Sequence, residues 1–123
     1  MLGESRTQDP QRIARLAQRL MPPFGALLVS MGASGGVWAQ AGTACWARVP
    51  EVKVISTVGS GDASLAGAVF ALARGMDAQG ALALAMACGA ANALLGEVGS
   101  VRAQDVQELM NHIEMEEIDL CCM

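Results

Sequence analysis

In the run Thr57-Val58-Gly59-Ser60-Gly61-Asp62, two glycines bracket a serine and an aspartate closes the group. Glycine opens backbone conformations closed to other residues and lets a ligand approach the main chain. Where such a turn feeds a helix, the first N–H groups have no intrahelical partner and, with the helix dipole, attract an anion. Phosphate is the natural anion. Asp62 then places a carboxylate within reach of whatever attacks that phosphate, as a general base for a hydroxyl must be. The same residues admit a structural reading, a Gly-rich turn closed by a capping aspartate, and spacing alone leaves both open. Neither GxxxxGKS/T nor GxGxxG is matched, so no P-loop or Rossmann fingerprint is available.

The elements that must hold this loop follow from periodicity. Asp9 or Thr7 caps a first helix with Pro10 just inside it; Ile13, Leu16, Ala17 and Leu20 form its stripe, Arg12, Arg15 and Arg19 its exposed face, and Pro22 and Pro23 its stop. The apolar run 26–30, between Gly25 and Gly32, predicts a strand buried on both faces, hence parallel and central. Gly35, Gly36 and Gly42 punctuate an antiparallel ribbon over 37–40 and 44–49, and 52–55 reads as a further strand leading into the loop. From Asp62 the spacing is helical, with Leu65, Ala66, Val69, Phe70 and Ala73 as the predicted packing face and Gly75 as the stop. Helices over 77–95 and 103–113 follow, the latter starting near Ser100 or Arg102 with Val106, Leu109, Met110 and Ile113 as its stripe. No element is assigned to 114–123. The pattern is α/β, a sheet covered by helices, with too few strands for a full sheet.

Hydrophobic residues make up 53% of the 123, mostly Ala, Leu, Val and Met, which is a large apolar share for one domain and implies surface buried against something else. The net charge of −4, with scattered basic residues, excludes a nucleic-acid footprint. Segment 78–96 is uncharged, but its alanines, glycines, Gln79 and Asn92 suit a helix buried in protein rather than a membrane span. Cys45, Cys88, Cys121 and Cys122 have no metal spacing with the single histidine, His112, and read as reduced cytoplasmic thiols; no metal site is expected. His112 belongs to a polar helix face, and Trp38 and Trp46 to ribbon packing.

The run STVGSGDASLAGAVF resembles the second signature of the PfkB-type, or ribokinase-like, sugar kinases. Ser30-Met31-Gly32-Ala33-Ser34-Gly35 resembles the SLGxxG turn that precedes a short ribbon in that family. Order and spacing match over about residues 10–113, the C-terminal portion of a typical member. The resemblance implies the C-terminal part of a three-layer α/β/α sandwich, with residues 1–123 forming one partial domain and an incomplete sheet. It implies ATP-dependent phosphoryl transfer to a hydroxyl, with Asp62 as catalytic base and the backbone of Gly59, Ser60 and Gly61 as anion hole. Ser30, Gly32, Gly35 and Thr57 would line the nucleotide site; Asn92, on the helix near the adenine, either joins them or is a buried polar group satisfied by a neighbour. STVG in place of DTTG is similar to the phosphofructokinase and tagatose-6-phosphate kinase branch, so a sugar phosphate is the expected acceptor.

Ser60 and Met31 depart from the family's usual alanine and leucine, which a loop working through backbone N–H groups tolerates. No NxxE pattern, linked in the family to magnesium and phosphate, precedes the loop, so most magnesium ligands are expected outside this chain. The expectation is a C-terminal kinase segment, weak or inactive alone, that needs the family's N-terminal half or self-associates. The alternative is a non-catalytic nucleotide-binding or assembly fragment.

Overall fold

The computed structural model describes residues 9–20 and 25–120. The expected roles of Thr7, Pro22, Pro23, Cys121 and Cys122 lie outside the described residues.

Helix α1 (Pro10–Leu20) opens at Asp9, whose Oδ1 accepts from the N–H of Gln11 at 3.1 Å. It buries Ile13, Ala14 and Ala17 and leaves Arg12, Arg15 and Arg19 exposed, the amphipathic pattern its spacing predicts. Strands β1 (Ala26–Ser30), β2 (Gly36–Gln40), β3 (Thr43–Arg48) and β4 (Glu114–Glu117) form a sheet in that order, antiparallel at every pairing among the described residues. The expectation of a parallel, central β1 is thereby corrected. Only the turn through Met31 and Gly35 joins β1 to β2, and a parallel pairing needs a crossover of a dozen or more residues. β1 ends the sheet among the described residues, with Leu27, Leu28 and Val29 only half-buried.

Alternation along the ribbon sends side chains to two helical layers. Val37, Ala39 and Ala44 pack with Ile13, Ala14 and Ala17 of α1. Trp38, Cys45 and Ala47 pack on the other face with Ala81, Leu82, Ala85 and Met86 of helix α3 (Ala78–Leu95). Asp77 caps α3 by accepting from Gly80 N–H at 2.7 Å, and Gly96 ends it in the left-handed region at φ 71°. α3 is long and apolar enough to cross a membrane, yet it lies against the sheet and neighbouring helices with half of its residues buried.

Three further expectations are corrected. Segment 52–55 joins no ladder; Ile55 and Ser56 donate instead to the carbonyl of Ala93, at 2.8 and 3.3 Å, one of the acceptors left over at the end of α3. Helix α2 (Ser60–Ala73) packs on α3 through Ala63, Ser64, Gly67, Ala68 and Ala71, while Leu65, Val69 and Phe70 of the predicted packing face are exposed. Small residues win because they allow close approach: a Cβ on Gly67 would come within 2.9 Å of Cys88 Sγ. Helix α4 (Ala103–Met110) stops before Ile113, and β4 follows in the segment given no element. Arg48 secures it, reaching the carboxylates of Glu114 at 3.2 Å and Glu116 at 3.8 Å across the β3–β4 pair.

A sheet with α1 on one face and α3 with its partners on the other is a three-layer α/β/α arrangement.

Candidate active site

The loop before α2 is built turn by turn. Ser56 Oγ accepts from Val58 N–H at 3.2 Å, a local side-chain turn. Ser60 N–H donates to Thr57 carbonyl at 3.1 Å, and Gly59 sits at φ 87°, left-handed. A Cβ there would also meet Gly99 N at 2.6 Å, so conformation and crowding both demand glycine at 59. Gly61 is different. Nothing lies within 4 Å of the Cβ it lacks, so its bareness leaves open space at the helix mouth.

The first i→i−4 bond of α2 runs from Ala63 N–H to Gly59 carbonyl at 2.9 Å. The N–H groups of Gly61 and Asp62 precede it and emerge from the positive end of the helix, where an anion is attracted. Asp62 is exposed in that first turn.

A cleft of about 610 Å³ opens beside this helix start. Its walls bring together Ser30, Gly32, Gly35, Thr57, Ser60 and Gly61, which are more than 20 residues apart in sequence at the extremes. Gly32 and Gly35 both have positive φ, 57° and 88°; a Cβ on Gly35 would collide with Ala47 O, whereas Gly32 faces open space. Ala90 and Ala93 of α3 line the floor with Gly89, where a Cβ would collide with Ser64 Oγ. Mostly apolar walls with an anion-attracting helix end suit a ligand that is flat at one end and phosphorylated at the other.

Three predicted residues do not line the cleft. Gly59 lies under Val98 and Gly99, and Asp62 stands outside the walls, on the exposed first turn. Asn92 is 1% exposed and its amide is fully engaged: Oδ1 accepts from Ser60 Oγ at 3.3 Å, and Nδ2 donates to the carbonyls of Glu97 at 2.8 Å and Ser100 at 2.9 Å. The turn at 96–100, absent from the sequence reading, thus forms part of the loop's support; the glycines at 96 and 99, both at positive φ in the structure, were the available signal. The wall from Val49 to Val54 was also missed, because 52–55 read as a strand.

A larger open groove of about 1130 Å³ shares no lining residue with the cleft. Asp77, Glu117 and Asp119 line it, and that charge repels phosphate. Outside both, His112 is exposed with Nδ1 3.0 Å from the carbonyl of Glu108. Trp38, which lines the groove, and Trp46 spend their indole N–H groups on Gln40 Oε1 and Ser34 carbonyl, each at 2.8 Å.

The family described as pfkB family carbohydrate kinase matches residues 1–103. A 1-phosphofructokinase of Borreliella burgdorferi is 31% identical over 93 residues, 75% of this chain and 30% of that relative. A Staphylococcus aureus protein assigned as a phosphofructokinase superposes with a TM-score of 0.83 at 26% identity, over 97% of this chain and 38% of that one. Phosphofructokinase-2 of Escherichia coli, solved with potassium, shares the fold at a TM-score of 0.79 and 23% identity, over 90% of this chain and 36% of that one. The chain therefore spans about a third of the length of these relatives. With the loop, the cleft and the family's sequence pattern falling on the same residues, this chain belongs to the pfkB family of carbohydrate kinases.

Proposed function

We propose that the chain supplies the nucleotide cleft and catalytic base for ATP-dependent phosphoryl transfer to a hydroxyl of a sugar phosphate. The observation that carries this reading is the exposed carboxylate of Asp62 in the first turn of a helix whose N–H groups open beside the cleft. Asp62 takes the proton of the acceptor hydroxyl as its oxygen bonds to the γ-phosphorus; the bond to the bridging oxygen breaks and ADP leaves. The N–H groups of Gly61 and Asp62, with the turn at Gly59 and Ser60, hold the charge on the transferred group. Ser30, Gly32, Gly35 and Thr57 accommodate the nucleotide. Asn92 serves it from beneath, its amide being occupied.

Magnesium supplies charge neutralisation when bound with the nucleotide. Among the described residues no group of three or more His, Cys, Asp or Glu could hold a metal ion; most of the magnesium ligands are assigned in this reading to the remaining portion of the fold. The likeness to a 1-phosphofructokinase favours a phosphorylated hexose as acceptor, with tagatose 6-phosphate as a related one.

Residues 1–123 act as one partial domain, and we place the reaction in the cytoplasm, where ATP and free thiols such as Cys45 and Cys88 coexist. The site is completed by the remaining portion of the fold, and the chain alone is weak or inactive. A non-catalytic nucleotide-binding role is the second reading, favoured by Asp62 standing outside the walls of the cleft.

Thermal unfolding of the chain with ATP and magnesium, beside phosphorylation assays on fructose and tagatose phosphates in an enzyme completed with the rest of the fold, tests both. Stabilisation with phosphorylation supports the kinase, stabilisation alone the binding role, and the absence of both rules out a nucleotide site.

A further inference from the structure

We propose that Asn92 is a positioning residue for the anion loop, tying its exit at Ser60 to the 96–100 turn that roofs Gly59. The functional consequence rests on the reading of that loop as a phosphoryl site; the tie itself does not.

Asn92 lies fully buried on α3 between Ala91 and Ala93, where an apolar side chain would fill the space without needing partners. A buried amide is retained only if its donors and acceptor are met. All three partners lie outside its own helix: Ser60 Oγ at the start of α2, and the carbonyls of Glu97 and Ser100 in the turn after α3. These two segments also touch directly, with Gly59 packed so closely on Val98 and Gly99 that a Cβ would not fit. The height of the turn and the position of Gly59 are therefore interdependent, and Asn92 fixes both.

The neighbouring residue completes the arrangement. The carbonyl of Ala93 accepts from Ile55 and Ser56, the residues that enter the loop, while the side chain of Asn92 accepts from Ser60, where it leaves. Two consecutive residues of one buried helix thus suspend Thr57, Val58 and Gly59 between them. Such a span holds the Gly61 and Asp62 N–H groups ready before an anion arrives, the condition under which fixed dipoles are most effective.

The test uses the intact chain, ¹⁵N relaxation and three variants. Asn92→Asp keeps the acceptor and the shape but removes the amide donors to Glu97 and Ser100. Ser60→Ala removes only the other link. Ile13→Val, in the α1 cluster on the opposite face of the sheet, is a stability control. In the wild type, Gly59, Gly61 and Gly99 are expected at order parameters of about 0.85, the value of rigid backbone. Asn92→Asp should lower all three towards about 0.6. Ser60→Ala should lower Gly59 and Gly61 but not Gly99, and Ile13→Val should lower none. Titration with ATP and magnesium should show about tenfold weaker binding for both loop variants, a loss of about 1.4 kcal/mol.

Unchanged Gly59 and Gly61 in Asn92→Asp, or an equal loss in Ile13→Val, overturns the proposal. Should Asn92→Asp fail to fold, Ser60→Ala decides alone: unchanged mobility at Gly59 and Gly61 refutes the tie. If ATP moves no wild-type resonance, the phosphoryl-site reading fails, while the order parameters still judge the tie.

Discussion

Gly59 and Gly61 stand two residues apart in one loop and are glycine for different reasons. A methyl at 59 meets Gly99 and forces a left-handed residue into strain, whereas a methyl at 61 meets nothing in the protein and intrudes only on a ligand. Gly59→Ala should therefore lower the thermal midpoint and ATP affinity together. Gly61→Ala should leave the midpoint unchanged and weaken ATP binding alone, as parallel melting and titration would reveal. Asp62 is read by chemistry: in an enzyme completed with the rest of the fold, Asp62→Asn should lower kcat by about 100-fold or more with little change in nucleotide affinity. Near-normal turnover would remove it from the role of base. Cys45 and Cys88 report on packing, since burial raises both thiols above the ordinary range, with Glu117 and Asp77 adding to the effect at Cys45. The folded state thus favours the protonated thiols; stability is fully present below the unfolded value of about 8.5 and is lost as pH rises towards the folded values. Denaturant midpoints measured between neutral and alkaline pH should fall, and less so in Cys45→Ala/Cys88→Ala. The loop and its aspartate were legible because glycine and carboxylate chemistry is local. The burial of Asn92 was not, since its partners are set by a turn whose placement is tertiary.

At the level of elements, periodicity located α1, the β2–β3 ribbon, α2, α3 and α4 to within a few residues, but it chose the wrong face of α2. Large apolar residues at 65, 69 and 70 ordinarily mark the buried stripe, yet here α3 is itself faced with small residues and accepts only a small-residue ridge. The two faces respond oppositely to substitution. Gly67→Val drives a branched side chain into Cys88 and the backbone of Leu84 and should cost about 1 to 3 kcal/mol of stability. Leu65→Ala, at a site 59% exposed, should stay within about 0.5 kcal/mol. Denaturant melts of the pair decide the matter, and the reverse order would restore the face the spacing favoured. β4 escaped notice for a related reason: Glu-Met-Glu-Glu has no strand composition, yet it pairs with β3, with Met115 packed on the core and Arg48 reaching its acidic residues. Segment 52–55 has strand composition but pairs with no strand among the described residues, and the N–H of Ile55 goes to the end of α3 instead.

Across the whole molecule, the two ends of the sheet are finished differently. β4 carries Glu114, Glu116 and Glu117, charges that discourage a further strand, while β1 is Ala-Leu-Leu-Val-Ser with neither charge nor proline. Leu28 of β1 packs against the cluster to which Ala68 and Ala71 of α2 also belong. The far face of α2 exposes Leu65, Val69, Phe70 and Leu72, each more than half accessible, with Val54, Ile55 and Val58 exposed in the segment leading to it. Apolar surface of this kind drives association. Relatives have about three times the chain length, and in them further chain is available to cover such a surface; the chain by itself has only other copies. Sedimentation velocity should therefore show association that grows with concentration. Leu65→Lys/Val69→Lys should reduce it without shifting the thermal midpoint, because both positions are exposed. Association that persists unchanged in this variant would move the contact to β1, where Leu28→Lys, at the edge of the sheet, becomes the deciding substitution.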